Sequence, residues 1–126
     1  MQFNEQKSIY LQIADYICDK ILDGTWPDGQ RIPSIRDMAV QLEVNPNTVT
    51  RTYTMLLDEG TLQNKRGIGY FTGDDARRMV LEKRRNQFVE QDLPALFKTM
   101  ITLDIGVGQV GELYMKYLEE QNHEDK

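Results

Sequence analysis

The chain has 126 residues, enough for one hydrophobic core and a small appendage and too few for a two-domain enzyme. With 40% hydrophobic and 28% charged residues, its composition is that of a folded, water-soluble protein, not a disordered or fibrous one. Fifteen Lys and Arg against twenty Asp and Glu leave a net charge of -5, which taken globally argues against a nucleic-acid partner, because phosphate requires local positive potential.

A single cysteine, Cys18, excludes an intramolecular disulfide, and the stretch from Met1 to Tyr10 lacks the basic and apolar regions of a signal peptide. A cytoplasmic location is therefore expected. No apolar run approaches the roughly 18 residues of a membrane span, so no membrane partner is expected either. His123 stands alone in a polar end expected to fray, and Cys18 lies inside an apolar pattern. With no clustered acid, base, nucleophile or metal ligands, the sequence suggests neither an enzyme, a metal site nor a cofactor.

Ile9, Ile13, Ile17 and Ile21 recur every four residues, flanked by Ala14, Cys18 and Leu22, which predicts an amphipathic helix from Ser8 to Asp23 ending at Gly24. Residues 25–33 contain Pro27, Gly29 and Pro33 and read as an extended connection with a tight turn, Trp26 and Ile32 plugging the core. A short second helix opens at Ser34, with Asp37 completing an acidic capping box and Ile35, Met38, Ala39 and Leu42 facing inward. Glu43 and Val44 form a turn. Asn45-Pro46 then supplies a cap and a first-turn proline for a third helix reaching about Glu59. Val49, Tyr53, Leu56 and Leu57 mark its inner stripe and leave Asn47, Thr48, Thr50, Arg51 and Thr54 on other faces.

After Gly60 the pattern turns extended, with Leu62 to Lys65 and Tyr70 to Thr72 joined by Arg66-Gly67-Ile68-Gly69, a hairpin with a basic tip. From Asp75 to Leu103 the chain reads as helical, Pro94 interrupting it or opening a new helix. A break at Asp104 to Gly108 precedes a last amphipathic stretch carrying Val107, Val110, Leu113, Tyr114, Tyr117 and Leu118, with fraying expected from Glu119 onward. The expected fold class is mainly α with a small β-hairpin. The expected domains are residues 1–73, a helix-turn-helix backed by the hairpin, and residues 74–126, a helical dimerisation region.

A helix-turn-helix places the N-terminal residues of its second helix at the base edges of the major groove. Asparagine pairs with adenine, arginine with guanine, and threonine offers a methyl or a hydroxyl, so Asn47, Thr48, Thr50 and Arg51 form a set of readers. Arg36, Lys65 and Arg66 are placed for the phosphate backbone, and the glycines around Gly67 let the tip approach a narrow groove. Each residue alone has a plainer reading: Asn45 as a cap, the helix face as merely solvated, the glycines as a turn. Their common spacing is what one docked module needs. The charge objection also dissolves locally, because between Met38 and Gly73 the only acids are Glu43, Asp58 and Glu59.

The run from Pro27 to Ala39, its continuation from Leu42 through Asn45-Pro46-Asn47-Thr48-Val49-Thr50-Arg51 to Tyr53, Glu59-Gly60, and Arg66-Gly67-Ile68-Gly69-Tyr70-Phe71 resemble the winged-helix domain of GntR-family bacterial transcription regulators. The resemblance covers residues 8 to 73. It implies that Arg36, Asn45, Asn47, Thr48, Thr50, Arg51, Arg66 and Gly67 stand at DNA-contacting positions. Glu43 departs from the family's usual turn glycine, and Thr61 from its usual leucine or isoleucine.

The segment after Gly73 is shorter than the family's effector-binding or pyridoxal-phosphate-holding domains and resembles the YtrA-type subfamily, whose tail is a dimerisation element and whose regulated genes often encode ABC transporters. Apolar residues agree: Phe88, Leu96, Phe97, Met100, Val110, Leu113, Tyr114 and Tyr117 are more than two short helices hide alone. Packing onto the same chain's winged helix is the alternative. Arg77, Arg78, Lys83, Arg84 and Arg85 read as a solvated helix face or as flanking phosphate contacts. The expected partners are a palindromic double-stranded DNA operator and a second copy of the chain, in the service of repression. The rival expectation is a winged-helix module for protein interaction or chromosome maintenance. Any small-molecule effector is left open.

Overall fold

Helix α1 (Ile9–Leu22) forms because its isoleucines at four-residue spacing have a core to enter, and Ile13, Ile17 and Ile21 are completely buried in it. Ile9, in the first turn, stays exposed, so the inward stripe starts one turn later than its spacing implied. The computed structural model describes residue 3 and residues 6–124. Beyond α1, Thr25 N–H donates to Asp23 Oδ1 at 2.8 Å, and hydrogen bonding from the Thr25 hydroxyl, then from this N–H, holds the Asp23 carboxyl below its usual range. Trp26 is half-buried, edge-on to Tyr16 with centroids 6.3 Å apart, while Ile32 is buried.

Helix α2 (Ile35–Leu42) is capped by Ser34, whose Oγ accepts from Asp37 N–H at 3.1 Å, and it ends at Glu43 in the left-handed region, φ 57 and ψ 48. Helix α3 (Pro46–Glu59) follows, with Pro46 in the first turn and the Asn45 Oδ1 accepting from Asn47 N–H at 2.8 Å. Val49, Thr52, Tyr53 and Leu56 are buried against α1 and α2. Two buried hydroxyls tie α3 to its surroundings: Thr52 donates to the Tyr10 carbonyl at 2.7 Å, and Tyr53 donates to the Pro33 carbonyl at 2.6 Å.

Strands β1 (Leu62–Lys65) and β2 (Gly69–Thr72) pair antiparallel, Leu62 opposite Thr72 and Lys65 opposite Gly69. The extended connection adds to them, through Ile32 N–H to the Tyr70 carbonyl (3.0 Å), Thr72 N–H to the Gln30 carbonyl (2.8 Å) and a bridge between Arg31 and Phe71. Helix α4 (Ala76–Gln87) buries Ala76 and Val80, and Arg84 reaches Asp19 at 2.6 Å. The first compact unit accordingly runs through Arg84, beyond the boundary expected at Gly73.

The second unit, residues 85–126, is described up to Glu124. Its helical path widens into a π-turn at Phe88–Asp92, where Leu93 N–H bonds the Phe88 carbonyl, before α5 (Leu93–Thr102). Pro94 lies in the first turn of α5. A proline there has no N–H to donate and its ring crowds the carbonyl four residues back, so the widened turn absorbs the fault that the sequence located. Asp104, at φ 54, closes α5, and Ile105 N–H bonds the Met100 carbonyl at 2.9 Å. Helix α6 spans Val107–Glu124, so the expected fraying from Glu119 gives way to regular helix that includes His123, and residues 125–126 lie outside the described residues. No described residue of this unit is buried, and α5 and α6 do not pack broadly on each other.

Candidate nucleic-acid interface

The sequence-assigned residues of α2 and α3 come together at the helix-turn-helix. Arg36 lies exposed in the first turn of α2. On α3, Asn47, Thr50, Arg51 and Thr54 are exposed at i, i+3, i+4 and i+7 and form one face, with Thr48 half-buried beside them. Two of these side chains are partly committed. Asn45 uses its carbonyl oxygen as the α3 cap, which leaves its amide nitrogen as the group to offer, and Thr50 Oγ1 donates to the Pro46 carbonyl at 3.0 Å, turning its methyl and lone pairs outward for use. The Arg51 guanidinium lies over the Tyr10 ring, 3.8 Å from its centroid.

At the hairpin tip, Lys65 Nζ sits 4.4 Å from the Phe71 ring centroid, Arg66 is exposed, and Gly67 takes φ 78, the left-handed value that permits so tight a turn. Arg31 is a residue that the sequence reading missed. Its guanidinium lies across Gly69, whose missing side chain leaves the room: a Cβ there would stand 3.2 Å from Arg31 Nε. Its only sequence signal was a basic residue in an extended segment, and its closeness to the hairpin follows from a backbone bridge that no local pattern announces. A cleft of about 450 Å³ opens here, lined by Arg31, Ser34, Asp37, Gly69 and Tyr70 among others.

Ion pairing divides the molecule's cations into two groups. Lys7 pairs with Asp15, Arg78 with Asp75 and Glu82, Lys83 with Glu59, and Arg84 with Asp19. Among the described residues, Lys20, Arg77, Arg85, Lys98 and Lys116 have no carboxylate partner, and neither have Arg31, Arg36, Arg51, Lys65 and Arg66. The last five are all the cations of the helix-turn-helix, the hairpin and the strand segment bridged to it. The run after the hairpin is therefore largely spent on structural pairs, Arg77 and Arg85 excepted.

Residues 9–71 match the family model described as bacterial regulatory proteins of the gntR family. The chain belongs to the GntR family. Its relatives include the HTH-type transcriptional regulator YhcF of Bacillus subtilis (strain 168), 35% identical over 104 residues, 82% of this chain and 84% of that protein. The HTH-type transcriptional repressor YtrA of the same organism is 32% identical over 83 residues, 66% of this chain and 64% of that protein. Among solved structures, a GntR-family regulator from Bacteroides thetaiotaomicron superposes with a TM-score of 0.76 at 38% identity, covering 90% of this chain and 99% of that one. The fold is thus the GntR winged helix with a helical C-terminal region, and the protein is a transcription regulator and not an enzyme. Among the described residues no helix is long and apolar enough to cross a membrane.

Proposed function

We propose that this GntR-family regulator is a repressor that binds an inverted-repeat DNA operator as a homodimer, each protomer laying α3 in a major groove. Asn47, Thr48 and Arg51 read base edges, Asn45 and Thr50 support them at the same helix end, and Arg36 holds a phosphate. Lys65, Arg66 and Gly67 carry the hairpin to the minor groove. The observation that carries this reading is that every cation of the helix-turn-helix, the hairpin and its bridged segment lacks an acid partner, whereas four of the nine others among the described residues are paired. Unpaired guanidinium groups keep their donors for phosphate and bases.

The dimer rests on the second unit. Phe88, Leu96, Phe97, Leu113, Tyr114 and Tyr117 are exposed, Met100 and Val110 are half-buried, and α6 sets Val110, Leu113, Tyr114 and Tyr117 on one stripe. A twin's helices covering that stripe give two-fold symmetry, which an inverted repeat mirrors. Repression follows the likeness to YtrA, itself named a repressor, and control of a transporter operon follows the resemblance of the tail to the YtrA-type subfamily.

Immunoprecipitated genomic DNA tests the reading. Discrete inverted repeats near promoters, a transporter operon among them, are expected, whereas diffuse or absent enrichment would support a module for protein interaction or chromosome maintenance. On the best site recovered, Arg51→Ala should cost about 1–3 kcal/mol and relax sequence preference. An equal loss on random DNA would reduce Arg51 to a phosphate contact.

A further inference from the structure

We infer that Tyr10, on α1, is a positioning residue for DNA recognition, holding the Arg51 guanidinium by its flat face so that its edge donors are presented to the duplex. The inference rests on the reading of Arg51 as a DNA contact and adds a residue outside the helix-turn-helix to the recognition apparatus.

Two consecutive residues of α3 engage Tyr10 in different ways. Thr52, fully buried, donates its hydroxyl to the Tyr10 carbonyl at 2.7 Å, which fixes the backbone from which the ring projects. Arg51 then lies over that ring at 3.8 Å. Tyr10 and Arg51 line a cleft of about 440 Å³ together with Asp58 and Glu59, yet Arg51 pairs with neither acid. The difference matters chemically. A carboxylate takes the N–H groups of the guanidinium edge, the groups that would bond a guanine or a phosphate, while an aromatic ring takes only the π-face and leaves all five donors free. Stacking also restricts a long side chain before binding, so less of its rotamer freedom is lost on the DNA.

The test uses full-length protein and the tightest-binding duplex selected by the wild type from a randomised pool, read by fluorescence anisotropy. Tyr10→Leu, which keeps apolar bulk and removes the ring, should weaken binding about two- to five-fold, the worth of an exposed cation–π contact. It should also lower discrimination against duplexes altered at the base pairs that Arg51→Ala relaxes. Tyr10→Phe should restore both. In an Arg51→Ala background, Tyr10→Leu should have no further effect, a control that a general loss of folding would fail. Unchanged or tighter binding by Tyr10→Leu, or an undiminished effect in the Arg51→Ala background, would overturn the inference and leave Arg51 as a contact. If Arg51→Ala itself binds as the wild type does, the underlying reading of Arg51 falls, and the role of Tyr10 with it.

Discussion

Glu43 occupies the left-handed region at φ 57, where a side chain meets the following carbonyl and only glycine is free of the penalty. Its position was legible in the sequence as a departure from a usual glycine, and the backbone supplies the reason that glycine suits it. Glu43→Gly should therefore stabilise the protein by about 1 kcal/mol, the relief of strain exceeding the added freedom of the unfolded chain. Urea unfolding with an unchanged slope and a raised midpoint checks it, and a lowered midpoint contradicts it. Cys18 behaves as its apolar neighbours suggested: burial pushes its thiol up to about 11, so it stays protonated at neutral pH. The capping bond of Ser34 was equally legible, because it is local. The Arg51 stack was not, since its ring belongs to another helix and no spacing rule connects the two.

At the level of elements, the helix-turn-helix and the hairpin followed from apolar period, caps and turn residues, all of which act within a few positions. What escaped was how the hairpin is anchored. Thr72, fully buried at the end of β2, donates its hydroxyl to the Pro27 carbonyl at 2.6 Å and accepts from Gln30 N–H at 2.8 Å, joining the strand to a loop far back in sequence. Thr72→Val keeps the shape and removes both bonds, leaving the Pro27 carbonyl and the Gln30 N–H only their 3.1 Å bond to each other, so it should destabilise by about 1–2 kcal/mol. Thermal unfolding measures the loss, and faster amide exchange at Gln30 should accompany it. A change within error would show that the hydroxyl is dispensable. Pro94 likewise announced a fault in the helix without disclosing its form, because a break, a kink and a π-turn all answer the same missing N–H.

For the whole molecule, each described apolar residue of the second unit remains exposed or half-buried, while the first unit owns a complete core from Ile13 to Val80. Leu113→Glu should thus give a monomeric protein whose first unit still unfolds cooperatively, because the new carboxylate would be buried without a partner only at the proposed dimer contact. Sedimentation equilibrium and urea unfolding read the two effects. On DNA, affinity for a two-site repeat should fall toward that for a single half-site, as the second site loses its tether. A dimer that persists would place the contact elsewhere.

The pairing pattern of the cations also governs how the molecule meets DNA before any contact forms. A net charge of -5 is repelled by a polyanion, but in the proposed binding mode the cations left unpaired on α2, α3 and the hairpin are drawn toward it, so the approaching protein would feel a torque. In that mode, wrongly turned encounters would be disfavoured at a distance, and those that survive would arrive hairpin and α3 foremost.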